Sequence, residues 1–240
     1  MKTLIVLKKR NLFIPFLFGI FMMSCAPAYI PNIVNTPMLS NEGEIQGSIA
    51  IGSSGIDPQI AYAVNDKIGV MINGSFRNDT DIEGTTDYHQ HAFLEFGGGY
   101  YNKLTKVARF GLYGGYGFGT INSSFSNDIL SSKANANSQR LFLQPGIGIS
   151  TGIFDFGLHS RFSFVNIEVK DNDFKASNSG KFDPYWEPAL TIKLGYRYFK
   201  FFSQLGFSFP LYSYNTNYSF QFLIFGMGAQ LKFGRDYKKK

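Results

Sequence analysis

At 240 residues the chain is long enough for one domain or a small pair, and 17% aromatic content with 26 Gly and 26 Phe is unlike a soluble α/β protein. The formal charge of +6 is confined to the two ends: Lys2, Lys8, Lys9 and Arg10 at the start, and Arg235 to Lys240 at the close, leave a body close to neutral. A nucleic-acid surface needs basic residues clustered on the folded body, which sets that class of partner aside.

The chain begins with a basic stretch and the apolar run Asn11 to Met23, the pattern of a secretory signal over residues 1–24. Cys25, the one cysteine, follows Met22-Met23-Ser24. That junction resembles the lipobox of bacterial lipoproteins, in which a small residue precedes a cysteine that is diacylated. A covalent lipid at Cys25 is expected; a plain signal peptide cut nearby is the alternative. Ala26 to Asn41 carries three prolines and no apolar period, so residues 25–41 read as an extended, lipid-bearing periplasmic tether.

From Glu42 onward apolar and polar residues alternate, the period of strands with one apolar face. Ile45, Gly47, Ile49 and Ile51 oppose Glu44, Gln46, Ser48 and Ala50, and the rhythm repeats to Leu231 and Phe233 near the end. Short turn signals at Asn65-Asp66, Asn102 to Thr105 and Thr151-Gly152 alternate with longer polar loops at Asn78 to Asp87, Asn122 to Ser138 and Lys170 to Asp183. In Glu187 to Pro210 the apolar parity flips with no residues to spare, which predicts a tight hairpin at Tyr198-Phe199.

About ten strands result, each of the length a tilted strand needs to cross a bilayer, and outer-membrane barrels join such strands by short periplasmic turns and longer outer loops. The sequence therefore predicts an all-β fold: an antiparallel up-and-down transmembrane barrel over residues 42–234, both barrel ends periplasmic, with a basic tail over 235–240. Tyr185, Trp186, Tyr212, Tyr214 and Tyr218 are expected at the outer rim, and Tyr100, Tyr101, Tyr196 and Tyr198 at the periplasmic rim.

The polar faces are dominated by Gly, Ser, Gln and Asn with a few spaced charges, a composition suited to a narrow interior. Charges enclosed there must be paired. Glu44 is expected near Lys232 at the closing seam, Asp155 opposite Lys193, Arg197 or Lys200, and Glu95 opposite Arg109 or Arg140. With Arg161 these form a structural ionic network; a permeation path through them is the alternative. Catalytic chemistry finds little support, because His89, His91 and His159 have no nucleophile in a recognisable motif and no GxSxG elbow is present. Asp79 to Gly84 resembles the first half of a calcium loop, but Gln90 stands where the bidentate Glu is needed. No catalytic residue, metal or cofactor is assigned.

Three stretches, YIPNIVNTP at 29–37, DPQIAYAVNDKIGVMINGSF at 57–76 and LGYRYFKFFSQLGFSFP at 194–210, together resemble a group of outer-membrane β-barrel lipoproteins of Bacteroidota. The resemblance implies fold and location and carries no catalytic motif. Surface lipoproteins of that phylum often have an acidic export signal after the cysteine; Ala26-Pro27-Ala28-Tyr29 lacks one, which implies a periplasmic-side anchor. The expectation is an integral outer-membrane lipoprotein with a structural, binding or narrow-transport role. Its partners are outer-membrane lipids and the lipid on Cys25. A periplasmic lipoprotein with a lipocalin-like barrel around an apolar ligand is the second reading, and an outer-membrane lipid hydrolase the third.

Overall fold

Alternation along the chain is realised as strands. In the computed structural model, which describes residues 27, 29–79, 88–127, 130–170, 181–212 and 220–234, every regular element is a strand. They are β1 (Ile45–Gly52), β2 (Gly55–Ala63), β3 (Ile68–Asp79), β4 (Tyr88–Lys103), β5 (Ala108–Asn127), β6 (Leu130–Ser150), β7 (Phe154–Val169), β8 (Asp183–Tyr196), β9 (Phe199–Phe207), β10 (Phe209–Pro210) and β11 (Leu223–Phe233). Neighbours pair antiparallel from β1 through β9, β9 pairs with β11, and β11 returns to β1 in the register Ile45↔Phe233 to Gly52↔Gly226. The result is a closed ten-stranded barrel. The short β10 continues the register of β9 on β8, through Phe209↔Trp186.

Closure removes the unpaired sheet edge and divides the side chains between two environments. Every barrel strand presents large apolar side chains outward, among them Ile51 (69% exposed), Leu194 (56%), Phe201 (64%) and Met227 (54%). Intervening residues point into the lumen and are buried, many of them polar or charged: Gln59, Asn73, Glu95, Arg140, Gln144, Arg161, Glu187, Lys193 and Gln204. The burial is inverted relative to a water-soluble barrel, whose apolar side chains point inward.

One end of the barrel carries the turns at 64–67, 104–107, 151–153 and 197–198; the long connections lie at the other. Several expectations change in detail. The Asn122 to Ser138 segment is a paired hairpin, not a loop, its ladder running on to Asn127↔Leu130. The tight turn is Arg197-Tyr198, one residue earlier than expected, since Tyr196↔Phe199 is the last pair. Arg197 takes φ 43°, supplying the left-handed conformation that a two-residue hairpin turn requires and that glycine or asparagine usually provides. Tyr185 and Tyr101 are not rim residues: both point inward and are 0% and 1% exposed. Residues 1–26, the tail 235–240, the rest of the acidic loop beyond Asp79, and Tyr214 and Tyr218 lie outside the described residues.

Candidate functional site

The lumen is occupied by the chain's own N-terminal segment. Residues 31–40 are all buried, although they form no regular secondary structure. Tyr29 packs among Ile121, Ala136, Val165, Ile167 and Tyr185 at the long-loop end, where it also bridges to Phe220. Ile33 packs with Ala50, Phe202 and Ile224, and Leu39 with Ala61, Ala63, Met71, Tyr101, Tyr113 and Phe142. Ser40 then reaches Arg109 at the short-turn end, and the chain reverses through Gly43, at φ 77°, into β1. The stretch expected as an external tether is thus a thread running the length of the barrel. Its composition contained the signal: Ala26 to Asn41 has no charged residue, which is unusual for a solvated linker.

A single extended strand inside a barrel has no neighbour to satisfy its backbone, so side chains from the wall must do so. The Ile33 N–H donates to Asp57 Oδ2 at 2.7 Å, and Gln59 Nε2 donates to the Ile33 carbonyl at 2.7 Å. Gln204 grips both backbone groups of one residue: the Val34 N–H donates to its Oε1 at 2.7 Å and its Nε2 donates to the Val34 carbonyl at 2.8 Å. Gln144 Nε2 donates to the Asn35 carbonyl at 2.7 Å, Lys193 Nζ to the Thr36 carbonyl at 3.0 Å, and the Met38 N–H to Gln46 Oε1 at 3.3 Å. Lumen glycines make the room. A Cβ on Gly226 would lie 2.5 Å from Ile33 Cδ1, and one on Gly69 would lie 2.7 Å from Leu39 Cδ1.

The charged positions form two groups. At the long-loop end Arg140 pairs with Glu95, its Nε donating at 2.9 Å, and its guanidinium lies over the Phe93 ring at 4.5 Å. Arg161 donates to Glu187 Oε2 at 2.7 Å. The Glu187 carboxylate also accepts from the hydroxyls of Tyr29 (2.6 Å), Ser163 (2.7 Å) and Ser208 (3.2 Å). Both arginines reach Asn32 Oδ1 of the thread, Arg140 at 2.7 Å and Arg161 at 3.0 Å. At the short-turn end Lys200 pairs with Asp155 at 2.6 Å and Lys232 with Glu44 at 2.9 Å. These two pairs lie at a cavity of about 650 Å³ lined also by Lys103, Lys106, Arg109 and Arg197.

Each of the three acids takes one of its expected partners, and the other candidate cations go elsewhere. Glu95 meets Arg140 and not Arg109, which donates to Ser40 Oγ and to the Thr105, Lys106 and Ala108 carbonyls. Arg197 is exposed in the turn, its guanidinium 5.3 Å from the Tyr196 ring, and so is not a lumen residue. Lys193 binds the thread and Gln230 instead of forming an ion pair with Asp155. Tyr29 and Asn32 were missed, because the thread itself was placed outside, and Glu187, on the polar face of β8, was not among the expected pairs. Cys25 lies outside the described residues.

A cross-strand relay also joins β3 and β4: Ser75 Oγ lies 3.1 Å from His91 Nε2, and His91 Nδ1 lies 3.0 Å from His89 Nε2. The order serine, histidine, histidine has the form of a proton relay. Ser75 is only 2% exposed, however, and the adjoining cavity of about 20 Å³ has room for about one water. His159 is buried against Gly146 and Gly157, apart from this relay. No group of three or more His, Cys, Asp or Glu side chains able to hold a metal occurs among the described residues. No protein-family model matches the chain, and no curated protein matches it in sequence.

Proposed function

We propose that the chain is an integral outer-membrane β-barrel, lipid-linked through Cys25, whose lumen is sealed by its own N-terminal segment. It acts as a membrane-embedded scaffold or binding protein and not as a pore. The observation that carries this reading is the inverted burial: apolar side chains cover the outside of all ten barrel strands, while buried glutamines, asparagines and ion pairs line the inside. Water-soluble monomers rarely expose contiguous apolar patches beyond a few hundred Å², whereas lipid accepts such a surface. A soluble ligand-carrying barrel would need an apolar cavity, and the thread fills that space here. The sealing is supported by the burial of residues 31–40 and by the wall-to-thread bonds from Ile33 to Met38.

Membrane fractionation of a Cys25→Ala variant tests the reading. The barrel should stay in the membrane through alkaline carbonate extraction and migrate faster unheated than heated on a gel. Release as soluble folded protein would sink the membrane assignment. In planar bilayers the intact chain should give no stable, discrete conductance; steps of fixed size would sink the sealing.

A further inference from the structure

The direction in which the thread runs decides where the N-terminus emerges. Tyr29 is fixed at the long-loop end by its hydroxyl bond to Glu187, its packing on Tyr185 and its bridge to Phe220, whose neighbour Gln221 donates its N–H to the Tyr29 carbonyl at 2.9 Å. Ser40 lies at the short-turn end beside Glu44 and Arg109. The eleven steps of chain from one to the other can reach ~36–40 Å when extended, enough to cross a hydrocarbon core of ~30 Å. Cys25 is four residues before Tyr29, and four residues span at most ~14 Å. Whatever course they take, they cannot return to the short-turn end, and residues 31–40 already fill the lumen. Tyr29 and Gly234 therefore stand at opposite ends of the barrel: the strands begin and end together at Ile45↔Phe233, but the thread runs from Tyr29 across to Ser40.

We infer that the lipid-bearing N-terminus stands on the long-loop, cell-surface side of the outer membrane, while the basic C-terminal tail stands in the periplasm. This rests on the outer-membrane reading above and on the rule that longer loops face outward. It reverses the periplasmic-side anchor that the missing acidic export signal implied. Surface exposure here follows from the barrel's own construction. A second consequence concerns assembly. A diacylated end cannot be drawn through a lumen in which Ile33, Leu39 and the Gln204 grip fit side chain to side chain, so the strands close around the thread.

Two single-cysteine reporters test the topology, Ala28→Cys before the thread and Lys240→Cys in the tail, with the unaltered chain as the blank for any free Cys25 thiol. Both sites lie outside the described residues. Intact cells are treated with a membrane-impermeant maleimide, before and after the outer membrane is permeabilised. The expected result is that Ala28→Cys labels equally in both conditions and Lys240→Cys gains its label only after permeabilisation. Two cysteines labelled under the same condition place both ends on one side and overturn the threading. Lys240→Cys labelled in intact cells with Ala28→Cys protected overturns the surface assignment. Carbonate extraction of the same cells keeps these failures apart from that of the underlying reading, which falls if the folded barrel is released.

Discussion

The two ends of the lumen use ion pairs in different ways. At the long-loop end the carboxylates belong to arginines, and Arg140, Glu95, Arg161 and Glu187 are each at most 2% exposed. At the short-turn end they belong to lysines beneath an open basic cup, and the Lys232 side chain is 32% exposed. The planar guanidinium can bind a carboxylate and still direct other N–H groups at a second acceptor, here Asn32 of the thread; an ammonium is a compact charge that favours water. The closed end therefore holds the thread in register, and the open end tolerates solvent around the reversal into β1.

Breaking the closed end should have the largest effect. Glu187→Ala leaves the Arg161 charge and the Tyr29 hydroxyl buried without their acceptor, and the expected loss is ~3–5 kcal/mol in urea unfolding of the detergent-solubilised barrel. A loss below ~1 kcal/mol would mean that this cluster does not seat the thread.

Crowding the middle comes next. Gly226→Ala puts a methyl group 2.5 Å from Ile33 Cδ1 and 2.9 Å from its Cγ1 and should cost ~1–3 kcal/mol, part of which the shorter side chain of an added Ile33→Val should recover. If the two changes are additive, Ile33 does not sit against β11.

The open end should respond less. Lys232→Ala should cost ~1 kcal/mol or less, and salt should weaken the wild-type pair there while leaving the Glu95–Arg140 pair unaffected. Equal salt sensitivity at both ends would erase the contrast. The smallest change is a gain: Arg197→Gly relieves a left-handed backbone and should stabilise by ~1 kcal/mol, read from the same unfolding curves. No gain would show that the cation over Tyr196 offsets the strain.

Much of the wall was legible because a strand's side chains alternate with a period of two. Ile45, Ile49 and Ile51 outward and Gln46 and Ala50 inward could be read directly from their spacing. The same period placed Glu95, Arg140, Asp155, Arg161, Lys193 and Lys200 on one face, without saying which of them meet. Arg140 reaches Glu95 from β6 to β4 over the intervening β5, and such diagonal reach depends on barrel curvature and side-chain length. The Ser75, His91 and His89 relay escaped notice for a related reason, since its members lie on two strands whose register no local pattern specifies.

By itself, then, the sequence determined the strands, their apolar and polar faces, and the short turns at one end of the barrel, because these are local consequences of backbone geometry and hydropathy. Only the tertiary structure decided what the lumen holds. Residues 29–40 have no period, two prolines and no repeating partner, so beyond their lack of charge nothing local separates an exposed tether from a buried thread. The choice was made by groups far away in the chain: Gln204, Gln144, Asp57 and Lys193 reach in from the wall to bond the thread's backbone, and the glycines opposite Ile33 and Leu39 left the space that the thread fills.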